Sequence, residues 1–488
     1  MRMTNKIMRN NSLYNINQNK LLQDQLSNQM TNQSKIVRPS DDPVVAIRAL
    51  RLRTNVTNIN QYYAKNAPDA DQWLSVTADA LSTVDDVLTD LYKQAAGASK
   101  KYLGSEDLEI ILTQMKSLTK EFYASGNVDY AGRYVFSGYR TDTPITFTEE
   151  NITQMTKENV KYTIEEKLGF DDISTISYTD FSNLATEQDV KNTKLYRLRL
   201  SYDDLEAQPA GTISLKKGNT AIAVKEYADA ETAYKDIADG KLAGVAYIPN
   251  TGELVFSEKY YTGNFKEGDT YSVTYSKATW AEGDINPVHY FKCTETADDG
   301  RNITYNATDE PQDIYYDVGY NQQIQVNSTA SEVFTHAVQR DMDDFQYYLT
   351  QLKEIESQIS DIETKMADFA EDSTEYKDLK KQLDAANKAY TYLRDDVQTK
   401  FENQITKYQK YMDDTNVAIT NNATRGSRLE LISSRLMSQK TTFKELQTNN
   451  EDIDVTEVAV ELSSSELTYQ AALMATSKIM QTNLMNYI

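Results

Sequence analysis

Much of what this chain could do is excluded by what it lacks. Among 488 residues there is one cysteine, Cys293, so no internal disulfide framework can staple the fold. The two histidines, His289 and His336, form neither an HExxH zinc motif nor a triad-like pattern. His289 and Cys293 stand four apart, but their alternating VHYFKC context reads as a strand, where that spacing makes a poor metal pocket and two ligands are too few. There is no Walker A loop and no GxGxxG fingerprint, and carboxylates this abundant form pairs by chance, so a pair alone says nothing of acid or base chemistry. No catalytic, metal or cofactor-binding residue is therefore expected. No apolar run approaches the ~20 residues that cross a bilayer. The first 30 residues are interrupted throughout by Asn and Gln and lack the apolar core of a cleavable signal. Basic charge is also short: the net charge of −22 and pI near 4.7 argue against a nucleic-acid partner, which needs a basic surface.

What is present is concentrated at the two ends, both Pro-poor and patterned as helices. Val455, Val458, Leu462, Tyr469, Leu473, Met480 and Tyr487 follow one another at 3, 4, 7, 4, 7 and 7 residues, a seam of period 3.5. Its counterpart runs through Ile7, Leu13, Ile16, Leu22, Leu26 and Met30, with Asn and Gln between. The charges are opposed. Residues 1–38 hold six Lys or Arg against one Asp, and residues 451–488 hold six Asp or Glu against one Lys. The two helices are expected to lie side by side, guided by charge and held by the seam. Exposed ion pairs contribute about 0 to 1 kcal/mol each, so burial has to supply most of the stability.

The fold class expected is mainly α with an inserted β-rich module: long terminal helices paired in an elongated coiled-coil-like bundle, plus a helical hairpin. Residues 1–38 and 454–488 form the terminal helical domain, 39–147 and 331–453 a helical bundle, and 148–330 the β-rich insertion. Leu74, Thr77, Leu81, Val84, Leu88 and Leu91 make one core stripe, and Leu108, Ile111, Leu112, Met115, Leu118 and Phe122 another. The Asp residues on the first of these helices read as a solvated face. Residues 345–410 read as an antiparallel hairpin with arms of roughly 30 residues, the second opened by Asp372 and Glu375 in a variant capping box. In the insertion, Leu195 to Leu200 alternates as a strand, Lys216 to Asn219 and Pro249 to Gly252 are turns, and Ala230 to Ala238 is a short helix. Trp73 and Trp280 are read as core anchors.

Ser34 to Leu50 reads SKIVRPSDDPVVAIRAL, where Ser40 or Asp41 can cap a helix that takes Pro43 in its first turn. This segment, with Arg38, Ser40, Asp41, Asp42 and Pro43, resembles the N-terminal signature of the bacterial flagellin superfamily. At the other end, Asn422, Ala423, Arg425, Gly426, Arg428, Leu429 and Glu430, then Asp452 to Leu462, Thr468 to Leu473 with Gln470, and Leu484 to Ile488 are similar to its C-terminal pattern. Gly132, Arg133, Tyr134, Val135, Phe136, Ser137 and Gly138, followed by Thr143 to Phe147, resemble the members that join hook to filament, as do the return segments Gln325 to Asn327 and Glu332 to Phe334. The resemblance covers about the first 145 and last 160 residues. It implies a structural subunit rather than an enzyme, exported unfolded without a cleavable signal and placed outside the cell at the hook-filament junction. Implied partners are identical subunits in a ring, a preceding hook-associated protein, flagellin or the filament cap, and a cytoplasmic export chaperone at the C-terminus. No membrane insertion is implied. Leu13, Ile16, Leu22 and Leu26 are then expected to meet Leu462, Tyr469, Leu473, Met480 and Tyr487 at the assembly interface. The alternatives are a filament-forming flagellin with a decorated exterior, or an adhesin or enzyme carried by residues 148–330.

Overall fold

A computed structural model of the chain describes residues 5–101, 103–208, 211–307 and 311–481. The helices are α1 (Asn5–Asn32), α2 (Pro43–Gln61), α3 (Ala67–Ala98), α4 (Ser105–Ala124), α5 (Glu149–Glu158), α6 (Ala230–Ala238), α7 (Glu258–Asn264), α8 (Ala337–Met366), α9 (Thr374–Glu451) and α10 (Val455–Gln481). Two compact units form, one from Met1–Asp69, Tyr316–Ile324 and Arg428–Ile488, the other from Ala70–Tyr315 and Gln325–Ser427. The three regions read from the sequence differ in secondary structure; these two units differ in what each buries.

The second unit contains a two-residue hairpin, β1 (Asp129–Tyr130) with β2 (Arg133–Tyr134), and the β-rich insertion. The insertion's strands are β3 (Lys161–Gly169), β4 (Ile173–Asp180), β5 (Lys191–Arg199), β6 (Ile213–Lys217), β7 (Thr220–Ile222), β8 (Val224–Glu226), β9 (Val245–Ile248), β10 (Glu253–Ser257), β11 (Thr270–Lys277), β12 (Lys292–Thr296) and β13 (Asn302–Asn306). A further hairpin pairs β14 (Tyr315–Gly319) with β15 (Gln322–Gln325). One sheet runs β4-β5-β10-β9-β8 and the other β13-β12-β3-β11-β6-β7, and every pairing is antiparallel except β8 with β9. Alternation drives this. Ile164, Leu198, Leu215, Tyr247, Phe256, Val273 and Cys293 point from both sheets into one core that also takes Trp280. The turn between β9 and β10 requires Gly252: its φ is +61°, and a Cβ there would strike the Tyr202 carbonyl.

Helix α3 buries its expected stripe together with its own Trp73, and α4 buries Leu108, Leu112, Met115 and Phe122 of its stripe, with Ile111 and Leu118 half-buried. Two expectations fail at the hairpin of α8 and α9. The second arm does not stop near residue 410; α9 is one uninterrupted helix of 78 residues, because it contains no Pro and a single Gly, Gly426, is too weak a breaker to end it. Its cap is Ser373, whose Oγ accepts from Tyr376 N at 3.0 Å, and not Asp372. His289 also departs from expectation. It closes a 3-10 turn, Pro287–His289, ahead of β12, because Pro287 removes a donor that a ladder would need.

One cluster ties the five-stranded sheet to the hairpin. Arg197, 1% exposed, donates to Glu253 and to Asp344, while Arg199 reaches Asp341 at 2.7 Å and Asp344 at 3.1 Å. From α9, Lys400 stands 3.6 Å from Asp344 and Lys407 2.7 Å from Asp341. Burial opposes the charge on Asp344, but Arg197, Arg199 and Lys400 outweigh it and hold the carboxyl well below its usual range. Burial brings Lys400 down to about 8, against the pull of Asp344. Lys400 Nζ also donates to Thr175 O, and the Tyr348 hydroxyl accepts from Ser177 N, so donors and acceptors from the hairpin cover the open edge of β4.

Candidate assembly surface

In the first unit, α1 and α10 pack along each other in opposite directions: Ser34 pairs with Asp452 in an isolated bridge, and Gln23 Nε2 lies 3.5 Å from Glu466 Oε1. Lys35 N donates to Glu451 O at 2.7 Å, and the Arg53 guanidinium grips the Glu451 carboxylate through Nε at 2.9 and 3.0 Å, joining α2 to the end of α9. That hydrogen bond holds the Arg53 pKa above its ordinary value.

The row of α1 that turns inward is Met8, Ser12, Ile16, Asn19, Gln23 and Leu26, of which Ile16 and Leu26 are buried. On α10 it is Val458, Leu462, Ser465, Tyr469, Ala472 and Thr476, with Val458, Ser465 and Thr476 buried. The structure thus brings Ile16, Leu26, Leu462 and Tyr469 to the contact and leaves Leu13, Leu22 and Leu473 exposed, together with Ile7, Met30 and Val455. At about 100° per residue, Leu13 and Leu22 fall on opposite flanks of the row that carries Ile16 and Leu26, so neither turns inward with it. The side chain of Met480 and all of Tyr487 lie outside the described residues. Charge guidance within the chain also fails. Among the described residues no ion pair joins α1 to α10, because Lys6, Arg9 and Lys20 on one helix and Glu457 and Glu461 on the other are exposed, away from the row that turns inward.

The outward faces carry the bulk. Ile7, Tyr14 and Leu21 form an exposed row at seven-residue spacing on α1, and Val460, Leu467 and Met474, at 65, 69 and 68% exposure, form another on α10. The first turns of α2 are inverted in the same way, burying Ala46 and Ala49 while Val44, Ile47 and Leu50 face out, and only further on does α2 bury a large residue, Ile59. A soluble helix normally buries its large apolar residues, and contiguous exposed ones mark a surface meant to be covered.

The signature residues have clear local tasks. Asp42, and neither Ser40 nor Asp41, caps α2: its Oδ1 accepts from Val44 N at 2.9 Å and Val45 N at 3.1 Å, with Pro43 in the first turn. Asp41 Oδ2 instead accepts from Val37 N and Arg38 N, closing the turn before it, in which Ser40 is exposed. In the second unit, Gly132 adopts φ +76° and donates its N–H to Asp129, which lets β1 turn into β2. Arg133 lies over the Trp73 ring at 4.9 Å, Tyr134 N donates to Thr141 O, and Phe136 packs edge-on against Phe334. Gly138 has φ +64°, and a Cβ there would meet Gln312. Leu429 is buried on α9, whereas Arg428, Glu430 and Gln470 are exposed.

A cleft of about 500 Å³ in the second unit, between α4 and α8, is lined by Lys116, Lys120, Tyr123, Gln339 and Asp343. Among the described residues no three His, Cys, Asp or Glu side chains converge to hold a metal, and no helix is long and apolar enough to cross a membrane.

In comparison with known proteins, residues 3–141 match the family described as the bacterial flagellin N-terminal helical region. The flagellar hook-associated protein 3 of Escherichia coli strain K12 is 31% identical over 123 residues, 25% of this chain and 38% of that protein. Its namesake in Salmonella typhimurium is 26% identical over 143 residues, 29% of this chain and 45% of that protein. The match therefore spans less than half the length of either relative. The crystal structure of a flagellar junction protein from Legionella pneumophila overlays 84% of this chain and 100% of its own at 11% identity, with a TM-score of 0.29.

Proposed function

We propose that this chain, whose residues 3–141 match the helical N-terminal region of bacterial flagellins, is a structural subunit of the flagellum that joins hook to filament. The observation that carries the reading is the inversion of the first unit. Between its helices a few apolar residues, Ile16, Leu26 and Val458 among them, are interleaved with Ser, Ala, Thr, Asn and Gln, while most of the Ile, Leu, Val and Met turn outward, an arrangement that becomes stable when identical neighbours cover it. The names of the curated relatives support the placement at the hook.

In this reading the subunit works by burial and has no chemistry to perform. Residues 1–38 and 454–488 line the inside of a ring of identical copies, residues 39–147 and 331–453 build the next shell, and residues 148–330 face outward. A hook-associated protein lies below the ring and flagellin or the filament cap above it. The chain leaves the cell unfolded without a cleavable signal, its C-terminal helix held by a cytoplasmic chaperone until export. Ordering the terminal segments costs about 1 to 2 kcal/mol per residue, which neighbours offset by covering the outward rows. The test is the position of a labelled copy on intact flagella: a single focus where hook meets filament is expected, and label spread along the filament would instead identify a filament flagellin. Removing residues 1–38 or 454–488 is expected to abolish the focus.

A further inference from the structure

Helix α2 presents a face that the pairing of α1 with α10 leaves uncovered. Val44, Ile47, Arg48 and Arg51 follow at i, i+3, i+4 and i+7, with Leu50 beside them, and all five are exposed. Among the described residues neither guanidinium has an ion-pair partner, whereas Arg53, on the chain-facing side, is bound to Glu451. The surface is therefore apolar and cationic together. A helix that docks on it must offer apolar bulk beside carboxylates within one turn.

The first unit contains such a helix. On α10, Glu457, Val460, Glu461, Ser464 and Leu467 follow at i, i+3, i+4, i+7 and i+10, all exposed, and among the described residues neither Glu457 nor Glu461 has an ion-pair partner. Small Ser464 and Ala471 flank Leu467 and permit close approach of another helix. The cations of α1 match less well: Lys6, Arg9 and Lys20 are spread over about four turns, while Arg48 and Arg51 stand within one.

We infer that the outward face of α2 is a docking surface for the N-terminal half of α10 from a second copy of this chain, with Arg48 and Arg51 set against Glu457 and Glu461. The two faces are different patches of one subunit, so the contact is head-to-tail, the kind that generates rings or helical arrays and not closed pairs. The inference rests on the proposed role as an assembling flagellar subunit, and it adds which helix of one copy meets which helix of the next.

Two measurements on cells making the full-length protein test it. A photo-crosslinking p-benzoylphenylalanine at position 47, irradiated on assembled flagella, is expected to yield a covalent dimer of this chain whose linked peptide falls within residues 455–478. Links to α1 of the second copy, to any other region or to another protein overturn the docking surface. Reversing charge in Arg48→Glu with Arg51→Glu, or in Glu457→Arg with Glu461→Arg, is expected to lower incorporation roughly tenfold, and combining all four to restore it. Unchanged incorporation in both pairs, or loss that the combination leaves in place, also overturns it. Wild-type protein missing from purified flagella defeats the assembly reading itself, an outcome distinct from wild-type protein that is present but linked elsewhere.

Discussion

The two units of this chain solve opposite problems with the same alphabet. In the second, the sheets close over one core, α3, α4 and α8 bury their apolar stripes, and even its charged cluster is satisfied from within: Asp341 and Asp344 each have two or more cations at hand. In the first, Ile16 and Leu26 of α1 and Val458 of α10 share the helix contacts with Ser465, Ala472 and Thr476, and α2 turns in Ala46, Ala49 and Ile59, while Val460, Leu467, Met474, Ile47 and Leu50 face outward. A unit that buries its large side chains is stable alone. One that presents most of them is, in the proposed role, completed by a neighbour. The difference is in direction, since both units contain regularly spaced apolar residues.

The comparison breaks first at the charged cluster. Asp344→Ala leaves Arg197 buried without its carboxylate on α8, and the second unit is expected to lose about 3 to 5 kcal/mol of stability in thermal or denaturant unfolding. A loss under about 1 kcal/mol would mean that the cluster does not hold hairpin and sheet together. Next comes acid. His289 is buried with its Nε2 at 3.1 Å from Pro144 O, and burial brings its pKa down to about 4. The unfolded chain binds the proton near pH 6.5, so stability is present above that pH and falls as pH drops towards 4, by about 2 kcal/mol at pH 5. Asp343 acts in the other direction. Half-exposed in the cleft between α4 and α8, it is partly desolvated there and raised to about 6 against Arg340, so its contribution improves on acidification. Comparing wild type with His289→Asn cancels that term, and the variant is expected to show the shallower decline between pH 6.5 and 4.5.

The division between the units also explains what the sequence made legible. Stripes such as Leu74 to Leu91 could be read because one face of each helix is buried and the other is not. The short helix Ala230–Ala238 and the turn at Pro249–Gly252 were readable because capping and glycine chemistry act locally. On α1 and α10 periodicity finds two apolar rows per helix, and nothing in the spacing says which row the chain itself will cover. Leu13, Leu22 and Leu473 belong to the heptad seam but not to the row the chain covers, so among the described residues α1 and α10 pair without the ion pairs that their opposite charges suggest. The roles of Arg197 and Arg199 are illegible in the sequence for the converse reason. In an alternating LYRLRL strand charge reads as solvent-facing, and only the arrival of Asp341 and Asp344 from α8, far along the sequence, makes the arginine face an interior one.

Smaller effects sharpen the contrast. Asp42→Ala removes the cap of α2 and is expected to cost about 1 kcal/mol in the first unit, with Asp42→Gly costing only a few tenths, both visible by hydrogen exchange of Val44 and Val45. The smallest expected change is the most telling. Leu467→Asp alters a side chain that is 69% exposed and touches no buried row, so monomer stability should stay within about 0.5 kcal/mol of wild type. The same substitution places a carboxylate where a neighbour must bury an apolar ridge, and incorporation into the flagellum should be lost. An ordinary surface leucine would tolerate the change in both measurements, and a core leucine would fail in both. Only a residue whose core belongs to another copy fails in assembly alone.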